Sequence, residues 1–541
     1  MRTDGSALES SAARDRVYER RWMTLGVLSL SLVIIGLDNF VLNVALPTLQ
    51  DSFSANASQL QWMVDAYILA FAGLLLTMGV MGDRFGRARV LQAGLLLFIC
   101  ASIAATYTRT PEQLIAARAV MGIGGAMIMP STLSILINVF PRDERGRAIA
   151  AWAGVMGLGI GLGPITGGFL IENFDWPAVF LINVPVAATA LALGLILVPD
   201  SKDPASAVLD LPGAALSISA VLILVYGIID APRSGWTDPV ILGCFVVAAV
   251  LGAAFIWRET HTDRPMLDLH LFRNPRMSAG VSAMSICFFS MFSLIFALTQ
   301  FLQFVLAQKP LAAGEVMLPL ALGVPIGSGL SVRLVRRLGT GKVVGTALIV
   351  VAGIVATVTR WSASTETWTV SLTLFFAAIA MANVMAPSAD AILGAVPEAR
   401  AGIGSAVNLL FGQTAGALGV AVIGSVMNTV YGDRMAAAVA HLPAQAAAAG
   451  DSIGAALVIA GKVGGLSGLA LAGTARFSFV DALQSGAIVA ACVAAVGGII
   501  VMRFMPPRHL PIPEPGNGAR SEPGAAQGSG AGAAGEVRPR G

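Results

Sequence analysis

Long apolar runs alternate with short polar stretches along almost the whole chain. A run of about 20 apolar residues is the length at which an α-helix crosses the roughly 30 Å hydrocarbon core of a bilayer. Fourteen such runs occur, and each predicts a membrane-spanning helix. They lie at about 24–46, 59–80, 88–108, 112–138, 147–171, 178–198, 211–231, 239–257, 278–304, 314–335, 342–360, 368–390, 401–427 and 482–504.

Composition supports a membrane protein. Of 541 residues, 56% are hydrophobic and 12% are charged, and the mean hydropathy is +0.78, whereas a soluble domain carries about 25% charged residues. The charged residues are too few to cover a water-soluble surface, so the expected environment is the lipid bilayer. The net charge of +3 gives no reason to expect a nucleic-acid partner.

The distribution of basic residues predicts the orientation. If the N-terminus is cytoplasmic, 26 of the 34 Lys and Arg residues fall in inside segments and 7 in outside loops. This excess follows the positive-inside rule and predicts fourteen spans with both termini cytoplasmic. The first run is too long for the apolar region of a signal peptide and is interpreted as a retained helix.

The cysteines and histidines do not form a recognisable metal site. Each of the four cysteines stands alone within an apolar run, and each of the four histidines lies in a polar stretch. Isolated cysteines in such runs are usually small buried apolar residues. The sequence therefore predicts no metal and no nucleotide, since no GxxxxGK[ST] loop is present either.

One short stretch, "GVMGDRFGRARVL" at 79–91, concentrates charge and glycine between the second and third runs. Glycine allows a tight turn and close helix approach. The charges can pair with acids or lipid phosphates, or simply set the topology. This stretch is called the charged turn below.

The charged turn resembles the signature of the major facilitator superfamily, and more of that pattern follows in order. "LDNFVLNVALP" (37–47), "LIAARAVMGIGGAMIMP" (114–130), "GLGIGLGPITGGFL" (157–170) and "DAILGAVPEARAGIGSAVN" (390–408) resemble motifs of its fourteen-span drug:proton antiporters. The resemblance covers about residues 22–505. It implies an all-α integral membrane protein with two six-helix bundles and two additional helices.

The spans, the local composition and the resemblance together give the domain boundaries. These are a cytoplasmic N-terminal segment (1–21), an N-terminal bundle (22–200), two additional helices (201–260), a C-terminal bundle (261–505) with a long outside loop (428–481), and a disordered cytoplasmic tail (506–541). A short helical hairpin at the membrane surface is the alternative for the Ala/Gly-rich loop. A degenerate echo of the charged turn, "VRRLGTGKVV" at 335–344, favours two related halves.

In this family the charged turn is expected to act as a cytoplasmic latch between the bundles in the outward-facing state. The residues assigned to it are Gly79, Gly82, Asp83, Arg84, Gly86 and Arg87.

Three ionisable residues at membrane depth are candidates for proton coupling, since such residues are costly and usually functional. Asp38 lies in the middle of the first run, where one carboxylate can bind either a proton or a lipophilic cation; a structural acid satisfied by a neighbour is the alternative. Asp65 lies nearer the outer end of the second run, where an ordinary interfacial acid is the alternative. Arg118 is the one basic residue within a run, and the resemblance assigns it to coupling; a purely structural ion pair is the alternative.

Glycines of the fifth run fall on two helical faces and favour close packing, or a helix that bends or seals during switching. The residues assigned to this antiporter helix are Gly159, Gly163, Pro164, Gly167 and Gly168; Gly154, Gly157 and Gly161 extend the pattern. Candidate substrate-binding residues are Asp38, Asn43, Trp62, Tyr67, Met129, Phe292 and Gln300.

The expected function is a proton-coupled efflux transporter of the plasma (inner) membrane that exports lipophilic, cationic drugs or antibiotics. It is expected to act as a monomer, without a cofactor beyond the coupling proton. An exporter dedicated to one antibiotic or secreted metabolite is the alternative, and a membrane enzyme or sensor on the same scaffold is a third. The predicted thirteenth span carries no charge in "NLLFGQTAGALG" (408–419), so no proton site is expected there.

Overall fold

A computed structural model describes residues 18–202, 210–262, 267, 269–396, 401–440 and 448–505, with some side chains of 142–161 and 401–406 outside the description. Thirteen helices in these residues are long and apolar enough to span a membrane, and a further 33-residue helix fills the place of the predicted fifth span. The fourteen-span prediction agrees with this arrangement. The helices are α1 (Arg21–Phe53), α2 (Ala57–Phe85), α3 (Arg87–Thr106), α4 (Pro111–Val139), α5 (Arg142–Phe174), α6 (Pro177–Leu197, interrupted at Ile182), α7 (Leu211–Ser234), α8 (Pro239–His261), α9 (Pro275–Val305, ending in a π-helical turn), α10 (Pro310–Leu338), α11 (Thr340–Arg360), α12 (Thr367–Leu393), α13 (Ala401–Val439), the short α14 (Ile453–Val463) and α15 (Gly465–Phe504).

Local sequence signals set several helix ends. Asn56 and Gln59 form a capping box at the start of α2, each accepting a hydrogen bond from the other's backbone amide, which satisfies donors that a helix start leaves free. Thr110 caps α4 before a proline at its first position. Gly86, with φ +117°, separates α2 from α3. That backbone conformation favours glycine because a side chain would be strained there.

The two halves of the chain repeat one packing pattern. In the first half, α1 packs on α5 and α6, α4 packs on α2 and α3, and α3 packs on α6. In the second half, α9 packs on α13 and α15, α12 packs on α10 and α11, and α11 packs on α15. These are equivalent pairs, as expected for two related six-helix bundles.

The additional helices α7 and α8 stand outside both bundles. α7 packs against α8 and also against α2 and α13, one helix from each half. Within the described part of α8, Ile241, Ala248 and Glu259 are the buried residues. The exposed apolar surface of α8 is therefore suited to lipid.

Much of the predicted loop 428–481 is helical. α13 continues to Val439, and α15 begins at Gly465 rather than near residue 482. The described residues of this region thus extend the flanking helices and add α14. The alternative of helix within this Ala/Gly-rich segment is closer to the structure than a long loop.

The halves meet most extensively through two helix pairs, α2 with α13 and α5 with α10. Polar contacts between the halves lie at the end of the helices opposite the charged turn, which is called the closed end below. Gln61 of α2 donates to α13, Gln303 of α9 donates to the Val44 carbonyl at 2.9 Å, and Lys309 lies 3.6 Å from Glu172.

Candidate functional site

A buried ion pair joins α1 and α4 at the centre of the first half. Arg118 Nη1 donates to Asp38 Oδ2, and the two side chains are only 1% and 2% exposed. An unpaired charge at this depth is costly, whereas a hydrogen-bonded pair compensates both charges. The structure therefore brings together two of the residues predicted for coupling.

Asn183 completes the surroundings of the Asp38 carboxylate. Its Nδ2 donates to Asp38 Oδ1 at 3.2 Å, and the residue is buried. It lies directly after the interruption of α6 at Ile182. Sequence reasoning missed Asn183, although an amide within the apolar run 178–198 was a signal that could have found it.

Arg118 has two further contacts, both with α2. Its Nε donates to the Met63 carbonyl at 3.0 Å. Its guanidinium carbon lies 4.4 Å from the centre of the Tyr67 ring, a cation–π distance. The α2 backbone, the Tyr67 ring and Asp38 thus hold the arginine from three sides.

Asp65 differs from Asp38 in its surroundings. It is completely buried, and in the part of the chain that the structure describes neither carboxylate oxygen has a hydrogen-bond partner. An ordinary acid at the membrane interface was the alternative for Asp65 in the sequence analysis. The complete burial of its side chain does not fit a water-exposed acid in this conformation. An acid buried in this way is costly when ionised.

The predicted substrate-binding residues fall into separate places. Tyr67 of α2 is buried against Arg118, and Met129 is buried about three turns further along α4 than Arg118. Asn43 donates to the Asn39 carbonyl of its own helix. Trp62 packs against Tyr226 of α7, with ring centres 6.4 Å apart.

Phe292 and Gln300, both on α9, also lie in two different places. The Phe292 ring lies 6.3 Å from Phe40 of α1 and stacks on Phe288, so it lies between the halves. Gln300 lines a small pocket at the closed end with Asn428 and Tyr431.

The α5 glycines face two different helices. A Cβ on Gly159, Gly163 or Gly167 would lie within 3 Å of α1 atoms, in Gly36, Phe40 and Val41. On the other face, a Cβ on Gly168 would lie 2.5 Å from the Pro310 carbonyl oxygen of α10, and one on Gly314 of α10 would lie 2.5 Å from the Pro164 carbonyl oxygen. α5 therefore makes close backbone contact with both halves. Gly154, Gly157 and Gly161 lie outside the described side chains.

The charged turn makes its described contacts within the first half. Asp83 pairs with Arg87 at 2.8 Å, and Arg89 pairs with Asp200 at 3.1 Å, just after α6. Arg84 is exposed, and Gly79 and Gly82 lie near Pro130 and Ser131 of α4. The turn is tied to α4 and α6 in this conformation.

The closed end has a contact that the sequence did not suggest. Gln61, fully buried, donates through Nε2 to the carbonyls of Val420 and Ala421, both at 3.3 Å. Gly424 leaves the space that the amide occupies. One side chain of the first half therefore seals against the backbone of the second.

Paired six-helix bundles with a buried ion pair between helices define a multi-pass membrane transporter. The model of the Major Facilitator Superfamily matches residues 28–420, and the chain belongs to that family. This confirms the resemblance seen in the sequence motifs, and it indicates a transporter rather than an enzyme.

Relatives with known roles span almost the whole chain. The chain is 33% identical over 499 residues to the multidrug efflux pump LfrA of Mycolicibacterium smegmatis, covering 92% of this chain and 98% of that protein. It is 32% identical to the tetracenomycin C resistance and export protein of Streptomyces glaucescens, covering 89% and 91%. It is also 33% identical to the methyl viologen resistance protein SmvA of Salmonella typhimurium, covering 85% and 93%.

Solved structures support the fold. A bacterial homolog of the human lysosomal transporter Spinster, in an inward-facing and unoccupied conformation, aligns with a TM-score of 0.65 at 17% identity, covering 91% of this chain and 99% of that one. A peptide transporter of the POT type aligns with a TM-score of 0.58 at 14% identity, covering 89% and 95%.

Proposed function

We propose that the protein is a proton-coupled efflux transporter that exports lipophilic, cationic drugs or antibiotics by alternating access. The observation that carries the proposal is the contrast between two buried acids in one half. Asp38 is paired with Arg118 and Asn183, whereas Asp65 has no partner among the described residues. The efflux and resistance roles of the relatives support the direction of transport.

The two environments treat a negative charge differently in this conformation. Arg118 balances the charge of the Asp38 carboxylate, and Asn183 donates to it. No described side chain compensates Asp65, and an isolated ionised carboxylate in an apolar interior costs several kcal/mol at least. When a change of conformation admits water or a cation, Asp65 gives up its proton as it becomes charged, and Asp38 exchanges a bound cation for a proton.

Arg118 couples the protonation of Asp38 to the helix α2, which carries Asp65. When Asp38 takes up a proton, the guanidinium loses its counter-charge and keeps the Met63 carbonyl and the Tyr67 ring. Because Met63, Asp65 and Tyr67 all lie on α2, the arginine transmits the state of Asp38 to the helix that carries Asp65. One central cluster then makes proton and cargo compete.

The conformation fits an inward-facing state. The contacts at the closed end join the halves there, while the charged turn contacts its own half. The excess of basic residues on the charged-turn side supports a cytoplasmic location for that side and for both termini. The latch proposed for Asp83 and its neighbours is then released, and it engages the second half when the closed end opens.

The energy comes from the ion gradient across the plasma (inner) membrane. A potential of 100 mV supplies about 2.3 kcal/mol per charge moved, or about fifty-fold in concentration. The proposal needs no bound cofactor and no partner subunit.

A vesicle assay tests the proposal. Purified protein in lipid vesicles is given a pH gradient and a membrane potential, and ethidium, a fluorescent lipophilic cation, reports transport. Asp38→Asn and Asp65→Asn should each abolish gradient-driven transport. Asp390→Asn, which changes an exposed acid at the end of α12, is the matched control. Undiminished transport by the Asp38 variant, or by the parent protein after ionophores collapse both gradients, would refute proton coupling.

An exporter dedicated to one antibiotic or secreted metabolite is a second candidate, because one relative carries the name of a single exported compound, tetracenomycin C. Expression in a host lacking its own pumps separates the two. Resistance to many unrelated cations supports the broad exporter, and resistance confined to one chemical class supports the dedicated one.

A further inference from the structure

α7 lies in the seam between the two halves. α7 packs closely against α2 of the first half. A Cβ on Gly73 of α2 would lie 2.6 Å from Ile218 of α7, and Tyr226 of α7 packs on Trp62 of α2. It also packs on α13 of the second half. No role has so far been assigned to this helix.

A proline near the end of α7 creates an unpaired acceptor. Pro232 has no backbone N–H, so the Ile228 carbonyl four residues earlier loses its usual helical donor. In the structure, Ser425 Oγ of α13 donates to this carbonyl at 2.5 Å. Ser425 is fully buried, so water does not replace this bond in the closed conformation.

The next carbonyl along α7 binds the other half. Ser58 Oγ, at the start of α2, donates to the Ile229 carbonyl at 3.1 Å. Two consecutive carbonyls of one helix therefore accept hydrogen bonds from the two bundles. Pro232 leaves the half-buried Ile228 carbonyl without a donor from its own helix, so the bond from Ser425 to Ile228 matters most.

These bonds adjoin the seal at the closed end. Ser425 follows Gly424, which leaves the space for the Gln61 amide. Ser58 lies one helical turn before Gln61 on α2. The seal and the α7 contacts therefore involve the same short segments of α2 and α13.

We propose that the end of α7 is a strap that holds the closed end shut. The strap consists of Ile228, Ile229 and Pro232, bound by Ser58 of the first half and Ser425 of the second. When the closed end opens, α7 cannot follow both halves, and one bond breaks. In the open conformation the freed Ile228 carbonyl is exposed to water. Losing the hydrogen bond from Ser425 therefore costs less free energy in the open conformation than in the closed one.

This inference rests on the proposed alternating-access cycle only in requiring the closed end to open. The test therefore reads the opening itself and uses no gradient or cargo. Spin labels are placed at Arg109→Cys and Ala363→Cys, exposed positions in the first and second halves at the closed end, in a chain whose four native cysteines are replaced by serine. Double electron–electron resonance then gives the ratio of long to short distances in detergent.

Ser425→Ala should raise that ratio about two- to tenfold, the effect of one hydrogen bond. Ser290→Ala is the matched control, because Ser290 is also buried but donates at 2.9 Å to Ile286 of its own helix. In a Pro232→Ala chain the restored N–H supplies a donor to Ile228, and Ser425→Ala should then change the ratio less than twofold. All variants are first shown to elute as the parent does on size exclusion.

Two results would overturn the strap. One is a distance ratio in Ser425→Ala equal to that in Ser290→Ala. The other is an effect of Ser425→Ala that is the same with and without Pro232, since the bond would then owe nothing to the missing N–H. Failure of gradient-driven transport in vesicles bears on proton coupling alone and leaves both results unchanged.

Discussion

The side-chain amide of Gln61 fills the space above Gly424 and donates to two carbonyls of α13. The glutamine belongs to the first half and the glycine to the second, so the seal between the halves depends on the absence of one side chain. Substitutions at Gln61 and Gly424 can therefore measure separately how steric fit and hydrogen bonding contribute to this seal.

Gly424→Ala should weaken the seal, because the added methyl group would occupy the position of the Gln61 amide. The distance between labels at positions 109 and 363 should lengthen. Adding Gln61→Ala should remove the clash and bring the distance part of the way back. Gly353→Ala, in α11 where a Cβ meets open space, is the control. An unchanged distance in Gly424→Ala would mean that the amide moves aside without loss.

Single substitutions in the Asp38–Arg118 pair should be more damaging than the double substitution. Asp38→Asn or Arg118→Met each leaves one buried charge uncompensated, which costs about 3–5 kcal/mol. The double variant leaves neither charge and should unfold closer to the parent temperature in detergent, while failing in the vesicle assay. Additive losses of stability would contradict a coupled pair.

Asn183→Ala should destabilise the protein by about 1.5–3 kcal/mol, the range for a hydrogen bond to a charged group. In an Asp38→Asn chain the same change should cost about 1 kcal/mol or less, since the acceptor is then neutral. Thermal unfolding of the four variants gives the interaction energy. Equal costs in the two chains would show that Asn183 does not sense the charge on Asp38.

Gly86→Ala should destabilise the junction of α2 and α3 for two reasons. The residue has φ +117°, which strains a side chain by about 1–3 kcal/mol. The new Cβ would also lie 2.6 Å from the Asp200 carboxylate. Asp200→Ala should relieve the clash but not the backbone strain, so the double variant should recover only part of the unfolding temperature. Full recovery would assign the whole effect to the carboxylate.

Asp83→Asn should slow ethidium turnover more than it weakens ethidium binding. Asp83 pairs with Arg87 at the end of α2, far along the helix from the buried acids, so its loss should alter switching rather than the binding cluster. Arg89→Gln, which changes the neighbouring pair with Asp200, is the comparison. Unchanged turnover in the Asp83 variant would remove the latch from the cycle.

The length of the apolar runs predicted the helices well, because the bilayer imposes both their length and their composition. The ionisable residues at depth were equally visible, and Asp38 with Arg118 proved to be a pair. Asp65 could be recognised as buried only in the structure, because burial depends on what packs around a helix near its end. The α5 glycines were predicted from spacing, but their two partner helices depend on the arrangement of the halves.

Other features were hidden because they depend on neighbours distant in sequence. Asn183 lies 145 residues from the acid that it contacts. Pro232 is visible in the sequence, but its consequence for the Ile228 carbonyl becomes clear only in the structure. There the donor to that carbonyl is Ser425, which lies 197 residues after Ile228 in the chain. Polar residues in apolar runs and prolines within spans are the signals that point to such sites.

The placement of α7 and α8 bears on the evolutionary history of the chain. α7 leaves from the charged-turn end and α8 returns to it, and the residues buried along α8 are few. A hairpin of two crossings can be inserted or deleted as one genetic unit without inverting the polypeptide that follows. A twelve-crossing chain and a fourteen-crossing chain can therefore share identical handedness in both bundles.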